Sequence, residues 1–200
     1  MNDIMKLRYE MVEICQKAFE QRLFAGTSGN LSVYLREEEL MLITPTCVRY
    51  ETMTAEDIVC VKLDGTVVEG KYAPSSEWRM HAAMYEKMPE VNAVFHTHSP
   101  YATSFAVVKK PIPYILIEMA PFLGGDVPCA EFANPGTREL GLSAIRALTE
   151  HQRNGCLLAN HGVLTVGTDL PQAFIRAEYV EDAAKIYHYA LQVGEPVILK

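Results

Sequence analysis

Short apolar runs alternate along this chain with longer stretches of helical periodicity, and no linker, repeat or low-complexity segment separates them. Strand-like runs cover residues 31–35, 40–43, 58–63, 67–68, 93–96 and 156–160, and helical stretches cover residues 3–23, 76–87, 136–151 and 169–192. The pair Asp64-Gly65 predicts a hairpin turn between two of the strands. Several hairpins with interspersed helices predict one layered α/β domain over residues 1–200, built on a largely antiparallel sheet.

Composition and charge narrow the classes of function. The chain has 200 residues, of which 49% are hydrophobic, and its net charge of −7 offers no basic face for nucleic acid. No run approaches the roughly 18 apolar residues that a membrane span needs. The N-terminus lacks the apolar core of a signal peptide, and the five cysteines are odd in number and form no C-x-x-C pair. We therefore expect reduced, mostly buried thiols and a cytoplasmic protein that binds neither nucleic acid nor membrane.

Three histidines provide the first chemical signal. His96 and His98 flank Thr97 at the end of a predicted strand, and residues two apart on a strand point to the same side. His161 follows another apolar run, in a turn with Asn160 and Gly162. Two partly exposed histidines after a strand are the plain alternative for an isolated H-x-H. Three imidazoles that leave one position open are typical of a catalytic zinc centre.

The second signal is the segment from Pro74 to His81. Ser75 or Ser76 can cap the helix that follows, which would place Glu77 in its first turn, and this is ordinary helix-start chemistry. A helix N-terminus with two hydroxyls is also a ready anion site, and a carboxylate beside a metal-bound substrate can move a proton. We expect His81 to be a packed or surface residue of the helix and not a fourth imidazole ligand.

Two loops rich in Gly, Thr, Ser and Asn provide the third signal. They cover residues 26–30 and 44–46. Such loops can present backbone N–H groups and hydroxyls to a phosphate without any lysine. Each loop taken singly is equally consistent with a plain turn, and no nucleotide-binding glycine motif is present.

Taken together and in this order, the motifs resemble the class II aldolase/adducin family. They are Gly26-Thr27-Ser28-Gly29-Asn30-Leu31-Ser32, Ile43-Thr44-Pro45-Thr46, Pro74-Ser75-Ser76-Glu77, His96-Thr97-His98 and Asn160-His161-Gly162. Two further segments, 128–130 and 136–140, extend the likeness to nearly the whole chain, and it is strongest to the sugar-phosphate aldolases. The resemblance implies a three-layer α/β/α fold with a central antiparallel sheet. It also implies a homotetramer whose active sites lie between neighbouring subunits.

The resemblance also implies roles for individual residues. His96, His98 and His161 would bind Zn²⁺, and Glu77 would ligate it in the free enzyme before moving off to shuttle a proton. Six residues would bind the substrate phosphate: Thr27, Gly29, Asn30, Thr46, Ser75 and Ser76.

Two positions depart from the family pattern. Cys47 stands where the family aldolase has glycine. Ile117 stands at the offset of a tyrosine that a neighbouring subunit contributes to the active site, and Tyr114 and Glu118 are alternatives nearby.

The implied function is cleavage of a ketose 1-phosphate, either L-fuculose 1-phosphate or a related deoxy-ketose 1-phosphate, to dihydroxyacetone phosphate and an aldehyde. Other enzymes of the family share the histidine set: ribulose-5-phosphate 4-epimerases, a methylthioribulose-1-phosphate dehydratase and oxo-tetronate-phosphate decarboxylases. The epimerases typically carry Asp where this chain has Glu77, which favours aldol cleavage. A non-catalytic, adducin-like interaction domain is the alternative of a different class, and the intact histidines and Glu77 argue against it.

Overall fold

One eight-stranded sheet runs through the computed structural model, which describes residues 3–200. Its strands in chain order are β1 (Asn30–Leu35), β2 (Leu40–Ile43), β3 (Val59–Val61), β4 (Val67–Glu69), β5 (Ala93–Thr97), β6 (Cys129–Ala130), β7 (Gly155–Leu158) and β8 (Gly162–Gly167). They lie side by side in the order β4-β3-β2-β1-β5-β8-β7-β6. The pair β6–β7 is parallel and the other pairs are antiparallel, which confirms the predicted largely antiparallel sheet.

Helices cover both faces of the sheet. They are α1 (Asp3–Glu20), α2 (Trp78–Lys87), α3 (Pro100–Val107), α4 (Met119–Leu123), α5 (Arg138–His151) and α6 (Leu170–Val193), with a short 3-10 turn at Ala55–Asp57. Alternate residues of the central strands divide between the two cores, because side chains of a strand point alternately to opposite faces. Phe95 packs with the residues of α1 and α6, whereas Val94 packs with those of α2 and α5. The predicted three-layer α/β/α fold is confirmed.

The strand β8 is the main element that the sequence pattern does not predict. All six of its residues are buried, and it pairs with β5 on one side and β7 on the other. A central strand covered on both faces lacks the alternation of apolar and polar residues that marks a half-buried strand. Its glycine ends also make it resemble a loop in sequence.

The sheet brings distant parts of the chain to one edge. Asn30, at the start of β1, is the register partner of His96 on β5. The tight turn at residues 159–161 joins β7 to β8, and β8 pairs with β5 so that Thr97 lies opposite Val163. The start of β1, the end of β5 and the β7–β8 turn therefore meet at one point.

The remaining predictions about burial can be compared with the structure directly. Three of the five free cysteines are buried, Cys129 is half-buried and Cys47 is exposed, as expected for mostly packed thiols. Within residues 3–200, none of the helices combines the length and apolar character that crossing a bilayer requires.

Candidate metal centre and active site

The three predicted histidines converge at this edge of the sheet. One ligand nitrogen from each of His96, His98 and His161 lies within 4.8 Å of the others. Gly162 allows this close approach, because a Cβ there would lie 2.3 Å from the Thr97 carbonyl oxygen and 3.2 Å from ring atoms of His96 and His98. The local sequence thus positions the rings through a strand end, a tight turn and a glycine.

Glu77 completes the cluster. Its Oε2 lies 3.0 Å from His96 Nε2 and 3.6 Å from His161 Nε2, and its Oε1 accepts a 3.2 Å hydrogen bond from the Gly136 backbone N–H. The expectation that Glu77 lies inside the first turn of the helix is wrong by one residue. Glu77 is the N-cap of α2, and neither serine takes that position. Its backbone N–H donates to Ser75 Oγ, at 3.3 Å, while its carboxylate turns to the imidazoles.

The hydrogen bonds of His96 indicate what the cluster is built to hold. His96 Nδ1 donates to the Val163 carbonyl oxygen at 2.8 Å, so in the neutral ring Nε2 carries only a lone pair. That lone pair faces Glu77 Oε2 at 3.0 Å and His98 Nε2 at 2.9 Å. Electron-rich atoms this close repel one another unless a cation or a proton lies among them. The donor set therefore fits a metal ion.

The protonation states support the same conclusion. Burial and the charges of His96 and His161 lower the pKa of His98 to about 3, and burial and the charge of His96 lower that of His161 to about 4. Burial alone would raise the pKa of Glu77, but its close contacts with His96 and His161 and the Gly136 backbone N–H outweigh burial and lower the pKa to about 2. Near neutral pH, His98 and His161 are thus neutral and Glu77 is ionised, which are the forms that bind metal ions.

Outer hydrogen bonds support only part of the cluster. Imidazoles that bind a metal usually donate their other N–H to a neighbouring acceptor, and His96 does so through the Val163 carbonyl. His161 Nδ1 is buried and has no hydrogen-bond partner among the residues that the structure describes.

A cleft of about 230 Å³ adjoins the histidines and contains all six residues predicted to bind phosphate. Its lining is polar and includes neither lysine nor arginine: Thr27, Ser28, Gly29, Asn30, Pro45, Thr46, Cys47, Ser75, Ser76, Glu77, His98, Pro135 and His161. Gly29 has a φ of +89°, and a Cβ there would lie 2.4 Å from the Phe24 ring. The two loops that are plain turns when taken singly therefore line one cleft together.

Sequence reasoning missed some functional neighbours and placed others only in part. Pro135 lines the cleft, and the Gly136 N–H holds Glu77, although no chemical pattern in the sequence points to either. Neither Tyr114 nor Glu118 lines this cleft, and Ile117 is 71% exposed. Within the described residues, the cleft thus has no counterpart from its own chain for the family's tyrosine.

A substitution at Cys47 tests what it costs in stability to have cysteine where the family aldolase has glycine. Its φ of +59° lies in the left-handed region, where an L residue other than Gly, Asn or Asp costs roughly 1–2 kcal/mol. We expect Cys47→Gly to raise the free energy of unfolding by up to about 1 kcal/mol, since the added freedom of glycine in the unfolded chain offsets part of the gain. Urea denaturation of the two proteins measures the difference. Cys47→Ala, which keeps the Cβ, is the control, and equal stability of the Gly and Ala variants would contradict the explanation.

Comparison with known proteins identifies the family. The family model described as "Class II Aldolase and Adducin N-terminal domain" matches residues 9–188. The 5-deoxy-D-ribulose 1-phosphate aldolase of Bacillus thuringiensis serovar kurstaki is 38% identical over 196 residues, or 98% of this chain and 91% of that protein. The L-fuculose phosphate aldolase of Escherichia coli K12 is 38% identical over 192 residues, or 96% of this chain and 87% of that protein. A solved structure of an L-fuculose 1-phosphate aldolase superposes with a TM-score of 0.91 at 41% identity, covering 98% of this chain and 91% of that one.

The chain therefore belongs to the class II aldolase and adducin family. It is an enzyme of the lyase class, a class II aldolase, as its aldolase relatives show. The family resemblance of the motifs is confirmed, and the alternative of a non-catalytic interaction domain is not supported. Aldolases of this class are typically metal-dependent, and His96, His98 and His161 form a group that can bind a metal ion.

Proposed function

We propose that this protein is a zinc-dependent aldolase that cleaves L-fuculose 1-phosphate or a related deoxy-ketose 1-phosphate to dihydroxyacetone phosphate and an aldehyde. The proposal rests on one observation, which is that the histidine cluster and the polar cleft adjoin. A cluster of three imidazoles and one carboxylate opens directly into a polar cleft, and Glu77, His98 and His161 belong to both. The printed names of the relatives, which act on 5-deoxy-D-ribulose 1-phosphate and L-fuculose phosphate, support this substrate class.

Zinc suits the donor set best among common metals. Three neutral imidazoles with a carboxylate nearby match the ligands of catalytic zinc, whereas magnesium prefers an all-oxygen environment. Zinc held there would act as a Lewis acid toward the carbonyl group of the substrate. His96, His98 and His161 would hold the ion, and Glu77 would be the fourth ligand that substrate displaces.

Glu77 is suited to carry the proton of the reaction. Cleavage of the C3–C4 bond leaves its electron pair on the dihydroxyacetone phosphate fragment, and C3 must then gain a proton. The Gly136 N–H holds Glu77 Oε1, and Oε2 points toward the imidazoles, where the substrate would bind. In the cleavage direction, a carboxylate in this position can accept the proton that the C4 hydroxyl loses as the aldehyde forms and deliver a proton to C3. In the reverse direction it can remove the C3 proton.

One wall of the cleft, here called the phosphate wall, would hold the phosphate. It consists of six residues that line a space free of lysine and arginine side chains: Thr27, Gly29, Asn30, Thr46, Ser75 and Ser76. Their side-chain donors and the backbone N–H groups that are not already hydrogen-bonded would bind the anion. This arrangement binds an anion by hydrogen bonds and not by ion pairs. It fixes one end of the substrate so that its carbonyl end reaches the histidines.

We also propose that the protein acts as a homotetramer. Neither Tyr114 nor Glu118 of the same chain lines the cleft, and apolar side chains of Val107, Val108 and Ile117 are more than half exposed. A neighbouring subunit can cover such side chains and contribute the missing group, and closed symmetric assemblies are the rule for homo-oligomers.

One assay tests the function. Purified protein, with its metal content measured, is incubated with L-fuculose 1-phosphate, 5-deoxyribulose 1-phosphate, methylthioribulose 1-phosphate and ribulose 5-phosphate, and dihydroxyacetone phosphate is followed enzymatically. We expect release from at least one of the ketose 1-phosphates. Epimerised or dehydrated products without dihydroxyacetone phosphate would replace the proposal by another reaction of the family.

The phosphate wall is tested by removing single hydroxyls. A hydrogen bond to a charged group contributes roughly 1.5–3 kcal/mol, so Thr27→Ala and Ser75→Ala should raise KM for the phosphorylated substrate roughly 10- to 100-fold. Effects on any turnover of the unphosphorylated sugar should be smaller. Thr149→Ala, on the exposed surface of α5, is the matched control. Equal losses on both substrates would show that these loops are structural.

A further inference from the structure

A chain of four hydrogen-bonded side chains lies beneath the phosphate wall and has no part in the mechanism above. Asn30 Oδ1 lies 2.5 Å from His81 Nε2, and His81 Nδ1 lies 2.6 Å from Ser32 Oγ. Ser32 Oγ in turn lies 2.5 Å from the Tyr85 hydroxyl. All four residues are at least 96% buried, and only Asn30 also lines the cleft.

The chemistry of these groups gives the chain one direction. The Asn30 carbonyl oxygen can only accept, so His81 Nε2 must carry a hydrogen. The side chain of His81 is completely buried and, within residues 3–200, forms no hydrogen bond to a carboxylate. A neutral ring with its hydrogen on Nε2 has a lone pair on Nδ1, which accepts from the Ser32 hydroxyl. Ser32 Oγ then accepts from the Tyr85 hydroxyl.

This direction decides which end of the Asn30 amide faces the cleft. With Oδ1 held by His81, the amide nitrogen and its two N–H groups remain for a ligand. Turning the amide over would set its N–H₂ against the His81 N–H and present an oxygen to the ligand. In a cleft without lysine or arginine side chains, that exchange replaces a donor to the anion with an acceptor that repels it.

We propose that His81 is a positioning residue that holds the Asn30 amide nitrogen toward the cleft and thereby sets the preference of the cleft for a phosphate-bearing substrate. The inference rests on the proposed function, because it identifies the residue that directs one hydrogen-bond donor of the phosphate wall, the Asn30 amide nitrogen, toward the substrate. Ser32 and Tyr85 are compatible with this role, because the Ser32 hydroxyl can donate to His81 Nδ1 while it accepts from the Tyr85 hydroxyl.

Two substitutions at His81 distinguish the roles of its two ring nitrogens. The amide nitrogen of glutamine can take the place of Nε2 and donate to Asn30, whereas that of asparagine reaches only the place of Nδ1. We expect His81→Asn to raise the inhibition constant of inorganic phosphate and the KM of the phosphorylated substrate roughly 10-fold or more, as for a lost hydrogen bond to an anion. His81→Gln should stay within about 3-fold of the wild type, well under one lost hydrogen bond. Metal content and kcat should change little in both variants.

The tautomer itself provides a readout that does not depend on turnover. Long-range ¹H–¹⁵N spectra of the whole protein with ¹⁵N-labelled histidine distinguish Nε2–H, Nδ1–H and doubly protonated rings, and His81→Gln identifies the His81 signals. We expect the Nε2–H form at pH 7. A ring with its hydrogen on Nδ1 alone would overturn the inference, because Nε2 could then not donate to Asn30.

The outcomes separate this inference from the proposed function. Suppose that the wild-type protein cleaves ketose 1-phosphates and binds inorganic phosphate, and that the His81→Asn variant does both equally well. That result would overturn the role of His81 and leave the proposed function intact. Wild-type protein that neither cleaves these substrates nor binds inorganic phosphate would overturn both.

Discussion

Replacing His161 with alanine is expected to strip the metal from the protein and abolish turnover. Only two imidazoles would remain, and even the loss of an outer hydrogen-bond partner of a ligand typically costs 10- to 100-fold in metal affinity or activity. Loss of a ligand should therefore exceed about 100-fold. His96→Ala should have the same effect, with some loss of stability as well, because His96 is completely buried.

The measurement is zinc per chain after dialysis against a weak chelator, together with the rate of dihydroxyacetone phosphate release. His151→Ala, which removes an exposed histidine at the end of α5, is the matched control and should keep both. A metal-free protein with full activity would refute the zinc centre.

Glu77→Gln should separate metal binding from chemistry. Glutamine has nearly the same shape and can still accept from the Gly136 N–H, and three imidazoles remain to hold the ion. It cannot carry the proton, and general acid–base steps contribute roughly 10²–10⁴-fold, so we expect kcat to fall by that factor while most of the zinc stays.

Steady-state kinetics at saturating substrate, with metal analysis of the same sample, measure both effects. Glu90→Gln is the control, since Glu90 is an exposed acid outside the cleft. Near-normal turnover of the Glu77 variant would show that this residue does no more than start the helix.

Local rules predicted the parts of the site that depend on a single element. The two-residue period of a strand placed His96 and His98 on one side, and the pattern around Asn160 predicted a turn that presents His161. His81 was predicted to be a packed or surface residue of its helix, and the structure shows it completely buried.

The rest depends on contacts between elements distant in sequence. The Gly136 N–H is 59 residues from the Glu77 carboxylate it holds, and Asn30 is 51 residues from His81. No local pattern encodes such contacts. Helix preference placed Glu77 in the first turn of α2, whereas in the structure it is the N-cap and its carboxylate contacts His96, His161 and Gly136, which are distant in sequence.

The pairing of β5 with β8 has a consequence for how the protein tolerates stress. The metal donors sit at the ends of two neighbouring strands whose sequences are more than 60 residues apart, so the unfolded chain has no preformed site to offer an ion. An ion that binds only the native state stabilises it by mass action, by about 2.7 kcal/mol when its free concentration is 100 times Kd. For a domain whose total stability is on the order of 5–15 kcal/mol, the supply of metal then sets a large share of the margin against heat and proteolysis. Under the proposed zinc dependence, a shortage of zinc would therefore lower the stability of the protein as well as its activity.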